Sequence, residues 1–107
     1  MQGQFTIIGE NHKPKYEVHD EKGSPFLHIT VTTTDYAGTV KIAWPTGGVY
    51  PDNTDPLLKD ATGNSCNVVM EAQSEYTFKF FKSNPQDVYT ADFNEKDVLI
   101  TIRKISE

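Results

Sequence analysis

Residues 26–45 read FLHITVTTTDYAGTVKIAWP, and this stretch decides the fold. Apolar residues occupy every second position on both sides of a short connection that contains Gly38; they are Leu27, Ile29, Val31, Val40, Ile42 and Trp44. Alternation with a period of two is typical of a strand that buries one face. Two such runs around a short turn predict a β-hairpin. We expect its apolar face, which ends in the only tryptophan of the chain, to form the centre of the core.

The rest of the chain extends this pattern in both directions. Shorter alternating runs lie at residues 4–8, 16–18, 66–70, 76–80, 88–93 and 98–102. Turn-forming residues separate them, and no helical spacing of apolar residues persists over ten positions. A chain of 107 residues is long enough for one domain with a single core. The sequence therefore predicts one all-β domain over residues 1–107, an antiparallel β-sandwich of about 7–8 strands with an immunoglobulin-like Greek key. A small β-barrel is the alternative.

The charge balance and the length of the apolar runs argue against several classes of partner. Fifteen acidic residues against ten basic ones give a net charge of −5, whereas nucleic-acid binding needs clustered Lys and Arg. No run approaches the ~18 apolar residues of a membrane span, and no signal-peptide pattern follows Met1. We therefore expect no nucleic acid and no membrane span. Cys66 is the only cysteine, and its phase predicts a buried, unreactive thiol.

Residues that carry catalysis or hold cofactors do not occur in recognisable patterns. None of the five serines lies in a Gly-x-Ser-x-Gly elbow. His12, His19 and His28 are close in sequence, but a metal site needs ring nitrogens that converge and are themselves oriented by hydrogen bonds. Solvent-exposed histidines are the commoner case. We expect no enzymatic activity, no metal and no cofactor.

Residues 45–65 form the main irregular segment. Its prolines and glycines prevent a long regular element, and we expect only Leu57 and Leu58 to anchor it in the core. Four residues with side-chain oxygen atoms suited to calcium lie close together in this segment: Asp52, Asn53, Asp55 and Asp60. Their spacing lacks the Asp-x-Asp-x-Asp-Gly pattern of a calcium loop. Turn formation explains the same residues, with calcium as the weaker alternative.

Tyr36 and Tyr50 are the candidate ligand-binding aromatics. Neither is in phase with an apolar run, so we expect both at the surface, Tyr36 in the turn and Tyr50 in the long segment. Exposed rings stack against sugars, and nearby polar groups orient the ligand. The polar residues of this candidate binding site are Asp52, Asn53 and Asp55. Trp44 differs, because its phase places it in the core.

A candidate protein interface consists of Lys79, Phe81, Leu99 and Arg103. Each of them is out of phase with the core residues of its own strand. If the two strands are neighbours in one sheet, Phe81 and Leu99 form an apolar centre with charged residues at its rim. That is the anatomy of many protein–protein interfaces.

These observations predict a non-enzymatic module that makes protein–protein contacts, with a protein partner or by self-assembly. Examples are a decoration or fibre-associated protein of a virion, or a component of another assembly, at a virion or cell surface. One alternative is a carbohydrate-binding module of a cell-surface glycan-binding protein. Another is a small acidic inhibitor or immunity protein that presents residues 52–60 to a basic partner.

Overall fold

The structure is a computed structural model that describes residues 13–52, 54–58 and 61–105. These residues contain the strands β1 (Lys15–Asp20), β2 (Phe26–Thr32), β3 (Gly38–Ala43), β4 (Val49–Pro51), β5 (Ser65–Met70), β6 (Glu75–Lys82), β7 (Tyr89–Asn94) and β8 (Leu99–Lys104). Every strand predicted within the described residues is confirmed, and β4 is an additional one. The strand predicted at residues 4–8 lies outside the described residues.

The strands form two four-stranded sheets that pack as a sandwich. We call β1-β2-β6-β4 the first sheet and β5-β3-β8-β7 the second sheet. All neighbouring strands are antiparallel except β3 and β8, which run parallel. The predicted sandwich is confirmed, but the expectation of purely antiparallel sheets is wrong, since the second sheet is mixed. The immunoglobulin-like Greek key is not confirmed, and the two separate sheets exclude the barrel alternative.

The prediction that residues 26–45 form a hairpin is wrong, although the face predicted to be buried is buried. Strand β2 pairs with β1 and β6 in the first sheet, whereas β3 pairs with β5 and β8 in the second. The connection between them therefore crosses from one sheet to the other. The apolar residues of β2, of β3 and of the position directly after β3 are nevertheless buried in one core, and all are 0–5% exposed: Leu27, Ile29, Val31, Val40, Ile42 and Trp44. Alternation determines which face is buried, but it carries no information about which strand lies alongside.

Thr33 joins this connection to another one that changes sheet, from β5 to β6, at the same end of the sandwich. Its hydroxyl donates to the carbonyl oxygen of Glu71 at 2.7 Å and accepts the main-chain N–H of Ser74 at 3.0 Å. The main-chain N–H of Thr33 donates to the carbonyl oxygen of Ser74 at 2.8 Å. Thr33 is only 3% exposed, so these bonds satisfy polar groups that water does not reach.

The long segment between β3 and β5 is more ordered than its composition predicts. Strand β4 pairs with β6 at the edge of the first sheet, with Tyr50 opposite Phe81. Pro51 is compatible with this position because an edge strand has one side without ladder hydrogen bonds. Leu58 is 2% exposed and Leu57 packs against the core, which confirms the predicted anchor.

A buried ion pair lies at the end of the sandwich opposite Thr33. The ammonium of Lys82, at the end of β6, lies 2.7 Å from the carboxylate of Asp20, at the end of β1, and their side chains are 0% and 1% exposed. The ammonium also donates to three main-chain carbonyl oxygens, those of Glu21, Pro85 and Asp87. The second carboxylate oxygen of Asp20 accepts the N–H of Tyr89 at 2.8 Å. The pair therefore joins both sheets and the turn between β6 and β7.

We expect Trp44→Ala to lower the free energy of unfolding by about 3–5 kcal/mol, the cost of removing a large buried ring. The ring is 5% exposed and packs edge-on against Phe80, with centroids 5.2 Å apart. Urea denaturation followed by circular dichroism measures the change. Val69→Ala is the control, because Val69 is 72% exposed, and it should change the stability by less than about 0.5 kcal/mol. A loss below about 1 kcal/mol for Trp44→Ala would contradict its place in the core.

We expect Lys82→Met to lower the free energy of unfolding by about 3–5 kcal/mol, because it leaves the buried Asp20 carboxylate without its cation. Asp20→Asn in the same chain should recover part of this loss, since a neutral amide oxygen still accepts the N–H of Tyr89. Lys79→Met is the matched control, with a side chain that is 35% exposed. Equal losses for Lys82→Met and Lys79→Met in urea denaturation would rule out the proposed role of the pair.

Candidate functional site

Three aromatic side chains lie side by side on the outer face of the first sheet. Phe26 of β2 lies opposite Phe81 of β6, and Phe81 lies opposite Tyr50 of β4. The ring centroids are 5.6 Å apart in the first pair and 5.7 Å apart in the second. We call these three residues the aromatic row. Phe26 is 37% exposed and Tyr50 is 51% exposed, so the row is open to solvent.

The row follows from the phases of three strands. Leu27 is fully buried, so Phe26 before it points outward. In β6, Phe80 and Lys82 point into the sandwich, which places Phe81 between them on the outside. In β4, Val49 is 2% exposed, and Tyr50 after it points outward. Tyr50 and Phe81 are among the residues that the sequence pattern predicts at the surface, whereas Phe26 is not, although it is in phase with the outward residues His28 and Thr30.

Lys79 holds a positive charge over the aromatic row. Its ammonium lies 4.2 Å from the ring centroid of Phe26 and 5.3 Å from that of Phe81. A cation at this distance is attracted by the negative face of an aromatic ring. The carboxylate of Asp52 lies 3.7 Å from the same ammonium. The row therefore has a cation and an anion at its border.

Asp52 belongs to a turn that directly follows β4. Its Oδ1 atom accepts the main-chain N–H of Thr54 at 2.9 Å and the hydroxyl of Thr54 at 2.7 Å. These two hydrogen bonds hold the pKa of Asp52 below its ordinary value; desolvation raises the pKa, and the charge of Lys79 lowers it. Since hydrogen bonds to a carboxylate favour its charged form, Asp52 is ionised at neutral pH.

Asp55 also supports the turn. Its Oδ1 atom accepts the N–H of Leu57 at 2.9 Å, and its Oδ2 atom accepts the N–H of Lys79 at 3.3 Å. The main-chain N–H of Asp52 donates to the carbonyl oxygen of Lys79 at 3.0 Å. Asn53 and Asp60 lie outside the described residues. Among the residues that are described, no three His, Cys, Asp or Glu side chains are grouped as a metal site requires.

The structure thus brings together Tyr50, Asp52 and Asp55 from the predicted binding site, but it places Tyr36 elsewhere. Tyr36 lies in the connection from β2 to β3, at the other end of the sandwich. It packs partly against the core, and its hydroxyl donates to the carbonyl oxygen of Thr39 at 2.7 Å. Tyr36 therefore supports the crossing between the sheets and is not part of the aromatic row.

The predicted interface patch is divided between the two sheets. Lys79 and Phe81 lie in β6 of the first sheet, whereas Leu99 and Arg103 lie in β8 of the second. The four residues do point outward from their sheets, but in different directions, so they do not form one patch. The guanidinium of Arg103 instead pairs with Asp92 on the neighbouring strand β7, at 2.6 Å. The expectation failed because it required β6 and β8 to be neighbours.

Polar rows continue the outer face on one side of the aromatic row. His28 lies opposite both His19 of β1 and Lys79 of β6. In the next row, the hydroxyls of Thr30 and Thr77 are 3.1 Å apart. An aromatic cluster with a polar and charged border resembles the anatomy of a protein–protein interface, in which a less polar centre is surrounded by a polar rim.

Comparison of the chain with protein-family models, with curated proteins and with solved structures finds no match. Across residues 13–52, 54–58 and 61–105, no helix is long and apolar enough to cross a membrane.

We expect Thr54→Val to raise the pKa of Asp52, because it removes the hydroxyl that contributes most to lowering this pKa. A carboxylate with a lowered pKa stabilises the fold above the unfolded-state pKa, and this stabilisation is lost as the pH falls through the folded-state pKa. As the pH falls, the variant should therefore lose this stabilisation at a higher pH than the wild type. Titration of the side-chain carboxyl carbon by NMR measures the pKa. Thr77→Val removes a hydroxyl on the same face without contacting Asp52, and a similar pKa in all three proteins would refute the expectation.

Proposed function

We propose that this chain is a non-enzymatic protein-binding module and that the aromatic row, together with Lys79, is its contact surface. The observation that carries the proposal is the alignment of three rings across an open sheet face, with Lys79 above two of them. Aromatic side chains are enriched among the residues that dominate binding energy at protein interfaces. Such a module suits a component of an assembly, for example a decoration or fibre-associated protein of a virion. We also propose that the sandwich has an immunoglobulin-like topology.

The arrangement of the rings favours a protein partner over a glycan. A sugar ring stacks against a flat aromatic face that is open to it, but the ammonium of Lys79 already lies over Phe26 and near Phe81. The planes of neighbouring rings are also inclined, by 55° between Phe26 and Phe81 and by 32° between Phe81 and Tyr50. An uneven aromatic surface is better suited to the side chains of a protein than to the flat faces of sugar rings.

The carboxylates of the turn after β4 favour the same conclusion over an acidic inhibitor. Asp52 accepts two hydrogen bonds from Thr54, and Asp55 accepts one from Leu57 and one from Lys79. These groups stabilise their own segment, so a basic partner would compete with existing bonds. We therefore assign them a supporting role, in which they position Lys79 at the border of the row.

We expect peptides selected from a displayed random library on the wild-type protein to bind the aromatic row. Replacement of Phe26 and Tyr50 by Thr should weaken their binding at least about tenfold, the effect expected for a residue that dominates an interface. Threonine retains a high preference for strands, so the double variant should keep the fold. Ile105→Thr is the matched control, because it makes the same kind of change at a residue that is 41% exposed and lies outside the aromatic row. Fluorescence polarisation with labelled peptides measures the affinities.

The other outcomes separate the alternatives. Peptides that bind the wild type and the double variant equally would rule out the aromatic row as the contact surface. Retardation by a panel of polysaccharides that disappears with Tyr50→Thr would instead favour a carbohydrate-binding module. Binding to a basic protein that weakens steeply with salt and requires Asp52 and Asp55 would favour the inhibitor.

A further inference from the structure

Within the described residues the two sheets have four edge strands, and three of these carry features that prevent pairing with another chain. Strand β1 has charged residues, and the hydroxyl of Tyr16 donates to Ala91 of β7 across the sandwich, at 3.2 Å. Strand β4 has three residues and includes Pro51. Strand β7 carries Asp92, which pairs with Arg103, and its Phe93 ring packs on Tyr16. Charges, proline, short length and covering side chains are the usual protection of a sheet edge.

The fourth edge, β5, has none of these features. It reads SCNVVM over Ser65–Met70, six residues without a charge or a proline. Val69, on its outer face, is 72% exposed, the highest value among the large exposed hydrophobic residues. An uncharged edge strand of this length offers its main chain to another strand.

The hydrogen bonds of the second sheet show which main-chain groups of β5 face outward. The N–H of Lys41 in β3 donates to Val98, on the side of β8, so Lys41 does not bond its opposite residue in β5, Asn67. The bond from Trp44 to Asn64 gives the same phase, since bonded and non-bonded pairs alternate along an antiparallel ladder. The main-chain groups of Asn67 and Val69 therefore point away from the sheet.

Most of these outward groups lack a partner within the described part of the chain. Ser65, in the same phase, exchanges both of its main-chain hydrogen bonds with Thr62. Among the described residues, none forms a hydrogen bond with the main-chain N–H or carbonyl of Val69, and the carbonyl of Asn67 receives a long 3.9 Å contact from the thiol of Cys66. The open section of the edge is thus centred on Val68.

We propose that β5 is a self-association surface, on which the β5 strand of a second copy pairs antiparallel about a two-fold axis at Val68. In this register Asn67 of each copy lies opposite Val69 of the other, and the outward N–H and C=O groups of both residues form ladder hydrogen bonds. The two second sheets become one continuous eight-stranded sheet. An isologous contact of this kind needs a surface that is complementary to itself, and an antiparallel strand meets that requirement.

Charge explains why the occupant is a second copy. The chain has a net charge of −5, so two copies repel each other at most surfaces, but β5 contributes no charge to its own edge. The nearest acidic residue along the chain, Glu71, would lie opposite Ser65 of the second copy in the proposed register, where it meets no like charge. The aromatic row lies on the other sheet and stays available, so a dimer would present two rows.

Sedimentation equilibrium over concentrations from about 10 µM to about 1 mM tests the proposal, since self-association depends on concentration. Val69→Lys places two charges at the joined edges, and Asn67→Pro removes an outward N–H that β3 does not use. Asn67→Pro should raise the dimer dissociation constant about thirtyfold, the effect expected from losing one hydrogen bond in each copy. Val69→Lys should also raise it, because the two added ammonium groups repel each other across the joined edges. Thr77→Lys adds the same charge on the first sheet and should leave the constant unchanged. In hydrogen exchange, the amides of residues 67 and 69 should become protected as the wild-type concentration rises.

A wild-type protein that remains monomeric over this range would overturn the proposal. So would a dimer whose dissociation constant is the same in the wild type, Val69→Lys and Asn67→Pro. Replacement of Phe26 and Tyr50 by Thr should leave the dimer intact. If the dimer of the Phe26 and Tyr50 double variant dissociates while the dimers of Val69→Lys and Asn67→Pro do not, the aromatic row, and not β5, is the self-association surface.

Discussion

The buried pair of Lys82 and Asp20 is the constraint on which the arrangement of the sheets depends. Both side chains are almost completely removed from water, and a buried charge is tolerated only where a counter-charge and hydrogen bonds surround it. The ammonium therefore needs three sets of partners at the same time: the carboxylate of Asp20, the carbonyl of Glu21 directly after β1, and the carbonyls of the turn between β6 and β7. Asp20 in turn binds the first residue of β7. A shift of one strand relative to another would leave a charge without its partners, so the pair fixes the relative positions of the two sheets at this end.

Strand β6 contains both Lys82 of the ion pair and two residues of the candidate contact surface, Lys79 and Phe81. Because side chains alternate along a strand, the inward positions of Phe80 and Lys82 require Phe81 and Lys79 to point outward. Strands β2 and β4 flank β6 and bring Phe26 and Tyr50 to the two sides of Phe81. The surface is thus positioned by a rigid central strand, whereas the turn at Asp52 holds the ammonium of Lys79 from the side. The β5 edge lies in the other sheet, which makes the two proposed contacts geometrically independent.

Sequence patterns predicted the strands better than they predicted the site. Each run of alternating residues in the described chain is a strand, and the residues expected in the core of the 26–45 stretch are buried. The sequence indicates that Tyr50 and Phe81 are exposed, because neither is in phase with an apolar run, but it assigns them to different surfaces. Their contact depends on β4, whose three residues follow two glycines, include Pro51 and have no periodic signal. Lys82 was missed although it is in phase with Phe78 and Phe80, since a lysine at the end of a strand is usually exposed.

By itself, the sequence determined that this chain is an all-β sandwich, which side of each strand is buried, and that Trp44 belongs to the core. These properties depend on residues two positions apart, so local alternation is sufficient to specify them. Only the tertiary structure decided that β2 and β3 lie in different sheets, that β3 and β8 run parallel, and that Phe26, Phe81 and Tyr50 form one row. Those relations join residues far apart in the chain, and they follow from the packing of two complete sheets and from the partners that a buried lysine requires.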